Sequence, residues 1–327
     1  MLGSGVSTFS TGFSVGGCAT SLEVRGASTW VGFRRLRLLG VGLSCAGQLI
    51  GVPDAETAAA HTPESPLDVR KARIEVGHRY IAGVLGLLLF AAAFLATRTK
   101  PIPRAPLLLA VLVMAQALLG MLTVTELLRP IIVSAHLMGG MLILATAVYA
   151  LGARPLSQPP SRLLQTTAIA AAAVLAIQIF LGGWVSANYA ALACPNFPHC
   201  ADGWLPETMT WEGYAPGRDL HLDTAGAPLG HHALATIHWT HRAFAIAAFV
   251  TLGGLGALLW RTGARTAAAV LWTLLAAQTM LGAVNVLAGL PMWSALSHVG
   301  GAALLAATMA WILAMVFRPP DMNSDMR

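Results

Sequence analysis

Seven apolar runs, each long enough to cross a bilayer as a helix, dominate this chain. They fall near 76–96, 105–124, 131–152, 164–186, 234–260, 265–288 and 292–317. An eighth candidate, near 31–52, is weakly encoded. Arg34, Arg35 and Arg37 interrupt its start, and its apolar part is short. Charged residues make up 10% of the chain, against about 25% in an ordinary soluble domain. The formal charge of +6 does not point to nucleic acid, because the basic residues sit between the apolar runs and form no single patch. Residues 1–30, rich in Gly, Ser and Thr, show little periodicity and are read as a poorly ordered N-terminal segment.

The loops alternate in charge. Arg98, Lys100 and Arg104 follow the run ending near 96; Arg154 and Arg162 flank the next such turn. Arg261 and Arg265 flank a third, and the tail carries Arg318 and Arg327. Segment 187–233 is acidic, with Asp202, Glu207, Glu212, Asp219 and Asp223 against Arg218. With eight spans, the positive-inside rule puts both termini in the cytoplasm and 187–233 outside. A disulfide between Cys194 and Cys200 is chemically permitted there. Its plainest role is to staple the loop.

Within these spans lies an internal repeat. Gln116-Ala117-Leu118-Leu119-Gly120 leads to Ser134-Ala135-His136-Leu137-Met138-Gly139-Gly140. Gln278-Thr279-Met280-Leu281-Gly282 leads to Leu296-Ser297-His298-Val299-Gly300-Gly301. Both Gln-to-His separations are 20 residues. Upstream, His78 precedes His136 by 58 residues and His241 precedes His298 by 57. Gln178-Ile179-Phe180-Leu181-Gly182 opens the second copy, and Gln48-Leu49-Ile50-Gly51 is a faint echo of it. The expected fold is therefore an all-α membrane protein of eight transmembrane helices in two pseudo-symmetric four-helix bundles. Their expected limits are 31–152 and 164–317, joined by a cytoplasmic linker at 153–163 and followed by a cytoplasmic tail at 318–327.

An ionisable residue inside a membrane helix is costly, which makes it a functional candidate. His78, His136, His241 and His298 all fall one to two turns into spans that run inward from the outer face, so they share a depth. Two imidazoles per bundle suit axial ligation of haem iron. Each alone also suits an interhelical hydrogen bond. Zinc asks for about four converging ligands, whereas the repeat divides these histidines into two pairs. Gly139-Gly140 and Gly300-Gly301 leave room for a flat macrocycle or a neighbouring helix.

The copies differ at one place. Three residues before His78 is Glu75; three before His241 is His238. That spacing puts both members of each pair on one helix face. A carboxylate beside only one site suggests proton transfer or substrate binding there; a helix-dipole role is the alternative. His238 reads as a satisfied interfacial histidine. Arg79 and Arg242 follow the ligand candidates and are placed either to meet haem propionates or to snorkel to headgroups.

These residues together resemble the heme A synthase family of membrane oxidoreductases, over about residues 72–317. The marks are Ile74-Glu75-Val76-Gly77-His78-Arg79, Ser134-Ala135-His136, Ile237-His238-Trp239-Thr240-His241-Arg242 and Leu296-Ser297-His298. Gly182-Gly183-Trp184-Val185-Ser186-Ala187-Asn188-Tyr189-Ala190, running into Cys194-Pro195-Asn196-Phe197-Pro198-His199-Cys200, is a further one. The resemblance implies oxidation of a methyl group of haem O to a formyl group, giving haem A for cytochrome oxidase. It implies that His241 and His298 hold a resident haem b. It also implies that His78 and His136 flank the substrate haem, with Glu75 as the catalytic carboxylate. The implied setting is the cell inner membrane, and the implied partners are haem O, the enzyme that makes haem O and an electron acceptor of unknown kind. A second copy of the chain is a candidate partner. The N-terminus departs from the family pattern: Gly42-Leu43-Ser44-Cys45 runs into Ala46-Gly47-Gln48 without a second cysteine. Neither Cys18 nor Cys45 receives a role. Two rivals remain open, a bis-haem cytochrome b that only relays electrons and a transporter with polar intramembrane histidines.

Overall fold

The structure, a computed structural model, describes residues 69–156 and 158–318. The weakly encoded span near 31–52 lies outside them, as do Cys18 and Cys45. The described chain is helical, with seven long helices: α1 Val69–Ala96, α2 Arg104–Thr125, α3 Pro130–Leu151, α4 Arg162–Ala187, α5 His231–Arg261, α6 Arg265–Leu287 and α7 Met292–Phe317. All seven are apolar and long enough to cross a membrane. Their limits reproduce the sequence runs to within a few residues at each end. The exception is α1, which begins seven residues earlier than its apolar run.

Two compact units divide the chain at Leu88/Leu89, inside α1. In the first unit the described part is the outer stretch of α1, from Val69 to Leu88. The second unit holds the rest. There α4, α5, α6 and α7 pack in sequence, and α7 closes back on α4, so the four form a ring. The helix α3 packs on α2, α4 and α7.

Helix ends follow local chemistry. Ser161 caps α4 by accepting the Leu164 N–H at 3.2 Å. Pro130 opens α3, where its missing N–H costs nothing. The turns after α2 and α6 are built alike. Leu128 N–H donates to Thr123 O at 2.9 Å, and Leu290 N–H donates to Asn285 O at 2.7 Å. This bond marks a Schellman-type end, which requires left-handed backbone. Gly289 (φ 69°) and Leu290 (φ 60°) supply it after α6; Leu127 (φ 50°) and Leu128 (φ 59°) supply it after α2. A leucine accepts that conformation at a cost of about 1–2 kcal/mol that glycine avoids.

Burial along the ring is layered. In the half of the ring nearer the α5–α6 turn, Leu164, Ala168, Ala171 and Leu175 of α4 meet Leu252, Leu255 and Leu259 of α5. Leu271 and Leu275 of α6, with Leu305, Met309 and Ile312 of α7, complete this core. Toward the other end of the ring, Trp184, Ile237, Ala235 and the two cysteines are buried in further clusters. Between the layers, residues 239–247 of α5, 276–285 of α6 and 295–304 of α7 contain no buried side chain. Elsewhere in these helices a buried residue recurs about every turn.

Candidate haem-ligand site

That level holds the histidines. His241 on α5 and His298 on α7 are both half-buried, and they lie within electrostatic reach of each other. In the ring α5 and α7 stand on a diagonal, each flanked by α4 and α6.

His136, His241 and His298 each rest on a Gln-x-x-x-Gly pair of an adjacent helix. Gln116 Nε2 donates to His136 O at 2.8 Å, and Gln278 Nε2 donates to His298 O at 2.9 Å. Gln178 Nε2 donates to His241 O at 3.2 Å and lies 3.2 Å from His241 Nδ1. One turn after each glutamine, a glycine passes under the imidazole. A Cβ on Gly120, Gly182 or Gly282 would come within 3.0, 3.1 or 3.3 Å of the Cε1 of His136, His241 or His298. Gly139 and Gly301 admit the glutamine itself: a Cβ on either would overlap Oε1 of Gln116 or Gln278. Of the two uses expected for these glycines, close helix approach is what the geometry displays. The sequence marked the glutamines as signposts of the repeat and gave them no role; their equal spacing to the histidines was the available signal.

Glu75, His78 and Arg79 lie in the first unit. Arg79 Nη2 pairs with Glu75 Oε1 one turn away, and the His78 side chain is exposed. Arg79 thus holds the carboxylate, an arrangement neither sequence reading anticipated. Arg242 also has other partners than the propionates or headgroups expected for it. It donates to Cys194 O (2.8 Å), Asn196 O (2.8 Å) and His199 O (3.0 Å). Its Nε lies 3.1 Å from His238 Nε2, and Cys194 N–H donates to His238 Nδ1 at 3.2 Å. A neutral imidazole accepts at one nitrogen only, so one of these two contacts dominates. Buried His238 (4% exposed) is a satisfied structural residue, as its sequence context suggested.

The Cys194–Cys200 disulfide is formed, and Arg242 fastens its loop one residue beyond His241. Deeper in the same segment, buried Arg218 donates to Gly213 O at 2.8 Å and to Asn188 Oδ1. Trp184 Nε1 donates to Gly213 O at 3.0 Å and stacks on Tyr214. The lone cation of an acidic loop is thus its internal organiser, which charge counting does not reveal.

The donor set offers pairwise imidazole ligation. Among the described residues no three His, Cys, Asp or Glu side chains converge on one point. Two imidazoles within reach of each other from α5 and α7, each with a glycine of a neighbouring helix under it, are a donor set that fits a planar macrocycle held by two histidines.

The profile of the COX15-CtaA family, cytochrome oxidase assembly protein, matches residues 38–310. The chain belongs to the heme A synthase family. It is 37% identical over 298 residues to the heme A synthase of Shewanella oneidensis, covering 86% of this chain and 89% of that one. To the heme A synthase of Methylobacterium radiotolerans it is 31% identical over 263 residues, or 75% and 68% of the two chains. To that of Sphingopyxis alaskensis it is 36% identical over 183 residues, or 54% and 48%. With seven apolar helices, this member is a multi-pass membrane protein. Neither the relay cytochrome nor the transporter is favoured by these matches.

Proposed function

We propose that the chain is an oxidoreductase that converts haem O into haem A for cytochrome oxidase, by oxidising one methyl group to a formyl group. Relatives named heme A synthase along most of the chain carry this reading. The reaction adds an oxygen atom and removes electrons and protons, so it needs both a proton acceptor and an electron route. Glu75 is the proton acceptor at the substrate haem, with Arg79 fixing the orientation of its carboxylate. On the family resemblance, His78 and His136 are the residues assigned to the substrate haem. Two successive hydroxylations followed by loss of water reach the aldehyde.

His241 and His298 hold the resident haem b in the α4–α7 ring. When bound, haem b supplies one-electron transfer. What the chain itself contributes is two imidazoles on α5 and α7, a glycine of a neighbouring helix under each, and a disulfide loop fastened by Arg242. The substrate half is 31–152 and the cofactor half 164–317, with 1–30 preceding them. Segment 153–163 and the tail 318–327 lie in the cytoplasm, and the protein resides in the inner membrane. Its partners include the enzyme that makes haem O and an electron acceptor, and a second copy of the chain is a candidate.

Haem analysis of the purified protein, from cells with and without haem O supply, tests the reading. Glu75→Gln is expected to retain haem b and to lower haem A formation by about 10²-fold or more. Undiminished haem A from that variant would remove Glu75 from the chemistry.

A further inference from the structure

The turn that follows the disulfide presents two large apolar side chains. Trp204 is 67% exposed and Leu205 is 56% exposed. Their backbone is nonetheless fixed. Cys200 N–H donates to Gly203 O at 3.0 Å, and the Trp239 indole N–H donates to Trp204 O at 2.9 Å. The His199 ring meets the Trp204 ring edge-on, with 4.5 Å between centroids, and Pro206 is buried. A fixed turn that holds two such side chains away from the protein marks a surface with a partner.

The position of Trp239 shows what that partner is. Ile246 and Val250 lie 7 and 11 residues beyond Trp239, which puts all three on one face of α5. Ile246 and Val250 are 68% and 64% exposed. On a helix long and apolar enough to cross a membrane, such a face meets lipid. From Trp239 to Arg261, at the far end of α5, are 22 residues, or about 33 Å along a helix. The hydrocarbon core of a bilayer is about 30 Å thick. With the Arg261 cation at one boundary, Trp239 and the turn bonded to it lie at the other.

We propose that Trp204 and Leu205 form an interfacial anchor whose partner is the lipid bilayer, entered at headgroup level beside α5. Indole suits that depth, because it offers an apolar body to the acyl chains and an N–H to the headgroups. Asp202 and Glu207 flank the pair and are exposed. Their charge stops the turn at the headgroups and favours a zwitterionic surface over an anionic one. Arg242 fastens the same loop beside His241; the anchor gives that loop a second hold, on the bilayer.

The test uses the full-length protein in phosphatidylcholine nanodiscs, with bromine on the lipid chains either near the headgroup or near the chain end. Subtracting the emission of Trp204→Phe from that of the wild type isolates Trp204 among nine tryptophans. That emission is expected to lie to the blue of tryptophan in water and to resist acrylamide added to the solution. Most of it is expected to be lost with shallow bromines and to survive deep ones. Trp204→Phe combined with Leu205→Trp moves the reporter by one residue and is expected to give the same pattern. Emission open to acrylamide and indifferent to bromine in both variants would overturn the proposal and assign the pair to water or to a soluble protein partner. Strongest loss with deep bromines would also overturn it, by placing the turn inside the hydrocarbon.

Discussion

In the hairpins α2–α3 and α6–α7 the same positions perform the same tasks at a constant offset of 162 residues. Gln116 and Gln278 hold the histidine carbonyls; Gly120 and Gly282 lie under the rings; Gly139 and Gly301 admit the amides. The turns repeat too, through Thr123/Leu128 and Asn285/Leu290. Their surroundings differ. The α6–α7 hairpin is half of a closed ring whose other half supplies His241. At its outer end the α2–α3 hairpin is tied to the acidic loop, where Arg129 Nε donates to Asp219 Oδ1 at 2.8 Å. One supersecondary unit therefore serves two settings: the hairpin sets where its histidine stands, and the neighbours decide what faces it.

The largest expected effect separates the two histidines. His298→Ala is expected to empty the purified protein of haem b, while His136→Ala keeps haem b and abolishes haem A formation. Pyridine haemochrome spectra and pigment extraction read both. Equal haem b loss in the two variants would erase the distinction between the hairpins.

A smaller effect tests their likeness. Gly139→Ala and Gly301→Ala each push a flexible glutamine end off the facing helix, breaking its bond to the histidine carbonyl. Each is expected to cost about 1 kcal/mol, the worth of one such bond, measured by thermal unfolding in detergent. A cost at only one of the glycines would show that the cradles differ in strength.

The smallest concerns pH. Burial, followed by the Arg218 charge, holds His221 below its ordinary value near 6.5. Its neutral form is therefore favoured in the folded loop. Stability from this group is present above the unfolded value and declines as pH falls below about 6.5. Acidification is expected to speed amide exchange in the acidic loop and in the α2–α3 turn tied to it, ahead of the α6–α7 turn. Simultaneous loosening of both turns would sever the link through Asp219.

Much of this was legible in the sequence. The seven spans follow from apolar length alone, because lipid demands helices with satisfied backbones. The repeat and its histidine depth follow from spacing at a fixed rise per residue. What spacing could not supply was partnership. Arg79 and Arg242 look alike one residue after a histidine, yet Arg79 holds Glu75 and Arg242 fastens the disulfide loop. Arg218 looks like a surface charge and is buried under carbonyls.

Apolar length and residue spacing specify a helical membrane chain with four histidines in its apolar helices, a glutamine 20 residues before two of them and a carboxylate beside one. Such features are periodic and local, and helix geometry converts them directly into position. Helix packing is what makes α7 close on α4, brings His241 and His298 within reach of each other, and sets the amide of Gln178 at a ring and that of Gln278 at a glycine. Those outcomes depend on which helices pack together, a long-range choice that local spacing does not encode.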